Sequence, residues 1–254
     1  GLNPVFNFST SQAIPLNNYW ILLILGICLG IFGAFYNWIT LKTQDLYAKL
    51  KCSTSIKLMI PFLLAGILGL LFPIVLCGGH AIVEELSLTT TLSLLLLMLV
   101  AKFLFSIISF GSGAPGGIFF PLLIIGGTFG AVFGYIAINY LGISPALFNN
   151  FIIISMAGYF TAIVRAPITG IILITEMTGS FTHLLSLSVV SIISYIVADL
   201  LKSTPIYDSL LKRLLLKNNI NEYHSKSTKK IIITNVVHFG SKIEKTYLNN
   251  LKLP

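Results

Sequence analysis

The run from Phe103 to Val164 holds no Asp, Glu, Lys or Arg, and near its start lies the turn Gly111-Ser112-Gly113-Ala114-Pro115-Gly116-Gly117-Ile118-Phe119-Phe120-Pro121. No other feature restricts the possible folds so tightly. In apolar surroundings every backbone N–H and C=O has to find a partner inside the protein. A broken backbone at membrane depth is tolerated only where it is packed in protein or lines a cavity. Glycine lets the chain turn sharply and brings its N–H groups close to a ligand. A helix starting just after such a turn points the positive end of its dipole into it. The pattern predicts a dehydrated anion site within a membrane protein.

Composition supports the membrane part of that reading. Of 254 residues, 56% are hydrophobic and 9% charged, against about 25% charged in soluble domains. Mean hydropathy is +0.92, and the fold class that follows is an all-α polytopic membrane protein. The net charge of +8 is uneven: Gly1–Leu201 has six basic and five acidic residues, Lys202–Pro254 ten and three. By the positive-inside rule the C-terminal tail is cytoplasmic. Topology thus accounts for the basic balance, and nucleic acid is not expected as a partner.

Cys28, Cys52 and Cys77 are odd in number and widely spaced, and the histidines show no ligand spacing, so neither disulfides nor a metal or cofactor are expected. No signal peptide is visible after Gly1. That start and the abrupt close Leu251-Lys252-Leu253-Pro254 lead to the expectation of a piece of a longer protein.

Along the chain, Tyr19–Leu41 is long enough to span a bilayer, with Tyr19 and Trp20 at its edge and a Gly26/Gly30 pair suited to close helix packing. Lys42–Lys57 is expected to be a solvated connection. Leu58–Leu76, with Pro61 and Pro73, is expected to be tilted or incomplete, and Gly78–Leu88, with Glu84 and Glu85, a solvated loop. Thr89–Phe110 spans again and contains Lys102. For that lysine the readings are snorkelling, a buried structural pair, or a functional charge. Gly126, Gly130 and Gly134 line one face of Ile118–Leu141, a packing seam first and a pathway second.

Ser144–Val164 is followed by Arg165-Ala166-Pro167 and by Ile168–Thr178, which is too short to cross a bilayer. Arg165 and Glu176 are the charges of this region and are expected to pair or to cap broken helix ends. Leu184–Leu201 spans, Lys202-Ser203-Thr204-Pro205 breaks it, and Ile206–Lys217 forms an amphipathic last helix. Residues 218–229 form a linker, and Lys230–Val237 is a β-branched run that predicts a strand opening a short α/β tail.

Half-length apolar segments joined by Gly and Pro breaks are characteristic of transporters whose broken helix ends meet around a substrate. A halide suits such a site, since it needs N–H and O–H donors and binding weak enough to reverse. The N–H groups of Gly117, Ile118 and Phe119 are helix-start donors without intrahelical partners. Tyr207, just past the Ser-Thr-Pro break, is the hydroxyl expected to complete the cage, with an interfacial aromatic as its other reading.

These residues carry a resemblance. Gly117-Ile118-Phe119-Phe120-Pro121, the run Arg165–Thr178 and Pro205-Ile206-Tyr207-Asp208 resemble motifs of the CLC family of chloride channels and chloride/proton exchangers. The likeness covers roughly Pro15 to Lys217. It implies an inverted-repeat fold of broken and tilted helices, of which residues 1–217 form the second half only. It also implies chloride coordinated by the amides of Ile118 and Phe119 and the hydroxyl of Tyr207. The implied partners are a lipid bilayer, chloride, protons if the protein is an exchanger, a second subunit in a homodimer, and an N-terminal half of the same protein. The first-half serine motif and the gating and proton glutamates of that family have no match here, so channel and exchanger stay open. Residues 230–254 resemble the start of the ligand-sensing lobe of potassium-channel RCK regulators.

Two other functions compete with anion transport. A cation- or solute-coupled secondary transporter would need a midplane carboxylate, for which Glu176 is the candidate. An intramembrane serine hydrolase built on Ser112 lacks a base and an orienting carboxylate, so Ser112 is assigned to scaffolding and no enzyme activity is expected.

Overall fold

The computed structural model describes Phe6, residues 13–114 and residues 116–217. The chain divides into two compact units, Gly1–Leu210 and Leu211–Pro254. Of the second, residues 211–217 are described, and they are helical. The expected linker and α/β tail lie outside the described residues.

The described residues are helical, without strands: α1 (Tyr19–Lys49), α2 (Thr54–Leu71), α3 (His80–Glu85), α4 (Leu92–Gly111), α5 (Phe119–Leu141), α6 (Phe148–Val164), α7 (Pro167–Thr178), α8 (Leu184–Leu200) and α9 (Ile206–Lys217). Among them, α1, α2, α4, α5 and the Pro145–Val164 segment that includes α6 are long and apolar enough to cross a membrane.

The centre of the bundle is α6, on which α1, α5, α7 and α8 pack. Every α6 residue except Asn149 and Val164 is buried, as expected of a helix apolar on all sides. Close approach to α5 depends on the glycine ridge. A Cβ on Gly126 would lie 2.8 Å from the Ser155 carbonyl oxygen, and one on Gly130 would run into that of Phe151. The ridge is therefore a packing seam. Gly26 and Gly30 do the same for α1 against α8, each 2.8 Å or less from Ile193 or Val197 side-chain atoms if given a Cβ.

Several boundaries differ from the sequence reading. Helix α1 continues to Lys49, eight residues past Leu41, because Thr40–Lys49 are compatible with helix even where the apolar run has ended. The connection to α2 is thus much shorter than Lys42–Lys57. Pro61 lies inside α2, and Pro73–Val75 forms a separate 3-10 turn. The expected loop at Gly78–Leu88 contains α3, with Glu84 and Glu85 both exposed on it. Gly79 precedes that helix at φ 88°, a conformation that glycine adopts without strain.

Candidate anion site

Helix α5 begins with its donors free. Its first backbone bond runs from Leu122 N–H to the Ile118 carbonyl at 3.1 Å, and Pro121 has no N–H to place. Among the described residues, the N–H groups of Gly117, Ile118 and Phe119 meet no acceptor. Packing holds them in position. Ile118 is 4% exposed, Phe119 stands edge-on to Phe160 with ring centroids 5.6 Å apart, and Phe120 rests on Phe6 at 5.9 Å.

This helix start borders a cavity of about 180 Å³, whose lining includes Lys102, Ser106, Ser109, Gly116, Gly117 and Ile118. The Ser106 and Tyr36 hydroxyls are hydrogen-bonded at 2.8 Å. Ser109 Oγ is buried and has no hydrogen-bond partner among the described residues. Ser112 points elsewhere: its hydroxyl donates to the Ser109 carbonyl at 2.7 Å and accepts from Ala114 N–H at 3.2 Å. That is a turn brace, in keeping with its assignment to scaffolding.

Lys102 does not snorkel and has no carboxylate partner among the described residues. It is 1% exposed, and its Nζ donates to the carbonyls of Val75 and Cys77, both at 2.8 Å. Those carbonyls belong to the break between α2 and α3, where Cys77 sits at φ 53° and the helix ladder cannot serve them.

Tyr207 lies in the first turn of α9, 46% exposed, beside a fully buried Ile206. Tyr36, on α1, binds Ser106 on the cavity wall. Gly117 and Ile118 thus line the cavity directly. Phe119 supplies the first helical amide, and Tyr207 is not among the residues that line the cavity.

Arg165 and Glu176 do not pair. Arg165 Nη1 donates to the Tyr195 carbonyl at 3.0 Å and meets Asp199 at 3.3 Å, while Nη2 donates to the Ser203 carbonyl at 2.6 Å. Glu176 is exposed near the end of α7. The sequence reading missed Asn37, whose buried Nδ2 donates to the carbonyls of Ile163 and Thr204, both at 3.1 Å. Asn37 and Arg165 together tie down the chain just before Tyr207. A buried asparagine in an apolar helix was the available signal, but its partners are carbonyls, which leave no trace in sequence.

The arrangement offers a small ligand N–H and O–H donors, the positive end of α5 and one ammonium. Its described lining offers no carboxylate, which favours an acceptor bearing negative charge.

A family model described as "Voltage gated chloride channel" matches residues 1–199. The H(+)/Cl(-) exchange transporter ClcA of Vibrio parahaemolyticus is 34% identical over 230 residues, covering 87% of this chain and 49% of that protein. The ClcA of Klebsiella pneumoniae is 34% identical over 213 residues, covering 82% and 45%. The chain spans about half the length of the curated relatives it matches. Among solved structures, a slow cyanobacterial Cl-/H+ antiporter superposes with a TM-score of 0.75 at 31% identity, over 86% of this chain and 52% of that one. A eukaryotic CLC transporter gives 0.65 at 22% identity, over 78% and 36%, which is a likeness of fold.

Proposed function

The chain belongs to the voltage gated chloride channel family, and from that membership we propose that it takes part in chloride transport across a membrane. The anion is held by the amides of Gly117, Ile118 and Phe119 and by the hydroxyl of Tyr207. One observation carries the reading: helix-start donors without described acceptors border a cavity whose described lining has no carboxylate. In water such donors would be solvated; in an apolar bundle they need a ligand.

A chloride ion meets that need, and the partial charges of the helix-start amides hold it weakly enough to be released. The names of the relatives support exchange of chloride for protons over passive conduction. On this reading the chain is one half of an inverted repeat, its C-terminal tail is cytoplasmic, and the assembled protein is a homodimer in a lipid bilayer. The competing solute-coupled transporter loses its candidate, since Glu176 is exposed and lines no part of the cavity.

The test is flux in reconstituted vesicles of the whole protein that carries this sequence. Chloride efflux, accompanied by proton uptake when the two are coupled, is expected. Efflux no faster than from protein-free vesicles would refute the proposal.

A further inference from the structure

Lys102 carries a charge that its described neighbours do not balance. The residue is 1% exposed and sits in a helix long and apolar enough to cross a membrane. The groups that meet it are the Val75 and Cys77 carbonyls, both at 2.8 Å, and the Phe105 ring, whose centroid is 5.9 Å from Nζ. These are dipoles and a quadrupole, and none of them cancels a full charge. A buried charge costs several kcal/mol unless it is paired, and intramembrane lysines accordingly find counter-ions or water-lined cavities.

The seat is shaped for this side chain. A Cβ on Gly79 would lie 2.9 Å from Lys102 Cε and 3.1 Å from Nζ, so the backbone passes against the ammonium where any larger residue would push it away. The same lysine is one of the residues that line the cavity, with Gly117 and Ile118. Two carbonyls take two of its three N–H groups. The third has no described acceptor.

We propose that Lys102 is the fixed countercharge of a small monovalent anion held in this cavity, and that the α5 amides and Lys102 bind the ion from two sides. The inference rests on the anion-site reading above and adds to it the residue that sets the charge of the ligand. One ammonium balances one negative charge, so a monovalent anion fills the site electrically and a divalent one such as sulfate leaves an excess. The two carbonyls draw off part of the ammonium's field, which keeps the binding reversible. Ser109, another residue of the lining, has a buried hydroxyl without a described partner.

The rival account is purely structural: Lys102 caps the two carbonyls of the α2–α3 break and does nothing else. Lys102→Gln separates the two, because glutamine still donates hydrogen bonds to carbonyls but has no charge. In calorimetric titrations of chloride into the whole protein, Lys102→Gln is expected to weaken binding about tenfold, or about 1.4 kcal/mol. Lys102→Arg is expected to stay within about threefold of the unsubstituted protein (about 0.65 kcal/mol by the same conversion). Thermal unfolding at rising chloride gives a second readout, since a ligand that binds only the folded state raises the melting temperature with its concentration. Lys102→Gln is expected to lose most of that chloride dependence, whereas a purely structural role would lower the melting temperature equally at every concentration.

Unchanged chloride affinity in Lys102→Gln overturns the proposal. If that variant does not fold, loss of chloride dependence in a folded Lys102→Arg overturns it instead. Chloride binding that Tyr207→Phe weakens and Lys102→Gln leaves intact refutes the countercharge alone. An unsubstituted protein that binds no chloride refutes the anion site as well.

Discussion

Two cations serve breaks in the helical bundle, Arg165 and Lys102, and the fold treats them differently. At the α6–α7 and α8–α9 breaks, Arg165 is taken up by the protein itself: it serves the carbonyls of Tyr195 and Ser203, meets Asp199 at 3.3 Å, and stacks over the Tyr195 ring at 5.4 Å. At the α2–α3 break, Lys102 serves two carbonyls and is also a lining residue of the cavity bordered by the α5 start. The difference lies in what neutralises the charge. Arg165 has an acid within the fold; for Lys102 no described residue provides one. The first is a clamp, and the second, as the proposed countercharge, waits for an ion.

The largest effect that would sharpen this contrast is Arg165→Ala. It removes the charged donor of the Ser203 carbonyl and a second hydrogen bond to the Tyr195 carbonyl of α8, and is expected to cost about 3 kcal/mol of stability, measured by unfolding in detergent at several chloride concentrations. The loss should be the same at each concentration, because the clamp does not touch the anion. A loss that chloride repairs would merge the two breaks into one site.

Asn37→Ala comes next. It leaves the carbonyls of Ile163 and Thr204 without their buried donor, at an expected cost of about 2 kcal/mol. Asn37 and Arg165 hold adjacent residues, Thr204 and Ser203, so the two substitutions together should depart from additivity. Strict additivity in a double-mutant cycle would show that they are separate devices.

Tyr207→Phe acts on the other side of the contrast. Chloride affinity should fall by about 1 kcal/mol, roughly fivefold, with unfolding nearly unchanged because Tyr207 is half exposed. A stability loss with unaltered affinity would reassign Tyr207 to packing. The smallest effect is Asp199→Asn. The aspartate side chain is 72% exposed, and an exposed ion pair contributes under about 0.5 kcal/mol. A larger cost would mean that Arg165 depends on its acid more than on its carbonyls.

The contrast also shows what could be learned from the sequence. The apolar runs, the Gly and Pro breaks and the glycine ridge on α5 were legible because each follows from a local rule about length, backbone freedom or helical spacing. The start of α5 was legible for the same reason, to within one residue: the segment was expected from Ile118, and the helix opens at Phe119 with Ile118 just before it. The end of α1 and the helix at His80–Glu85 were not, because polar residues such as Thr43, Gln44 and Asp45 fit a helix as well as a loop. Partners were the least legible. The sequence sets Arg165 against Glu176, eleven positions away, whereas the fold brings it to Asp199, 34 away. The acceptors for Lys102 and Asn37 are backbone carbonyls, which any residue could provide. What distinguishes the two charges is therefore decided by three-dimensional neighbours: Asp199 beside Arg165 and the cavity beside Lys102.

The central claim is that the α5 start holds the ion, and bromide can show it directly. Crystals of the whole protein soaked in bromide would be measured at the bromine absorption edge. An anomalous peak is expected within hydrogen-bonding reach of the Ile118 and Phe119 amides, on the cavity side facing Lys102. Well-ordered density for that helix start with no peak, while bromide appears elsewhere along the protein, would contradict it.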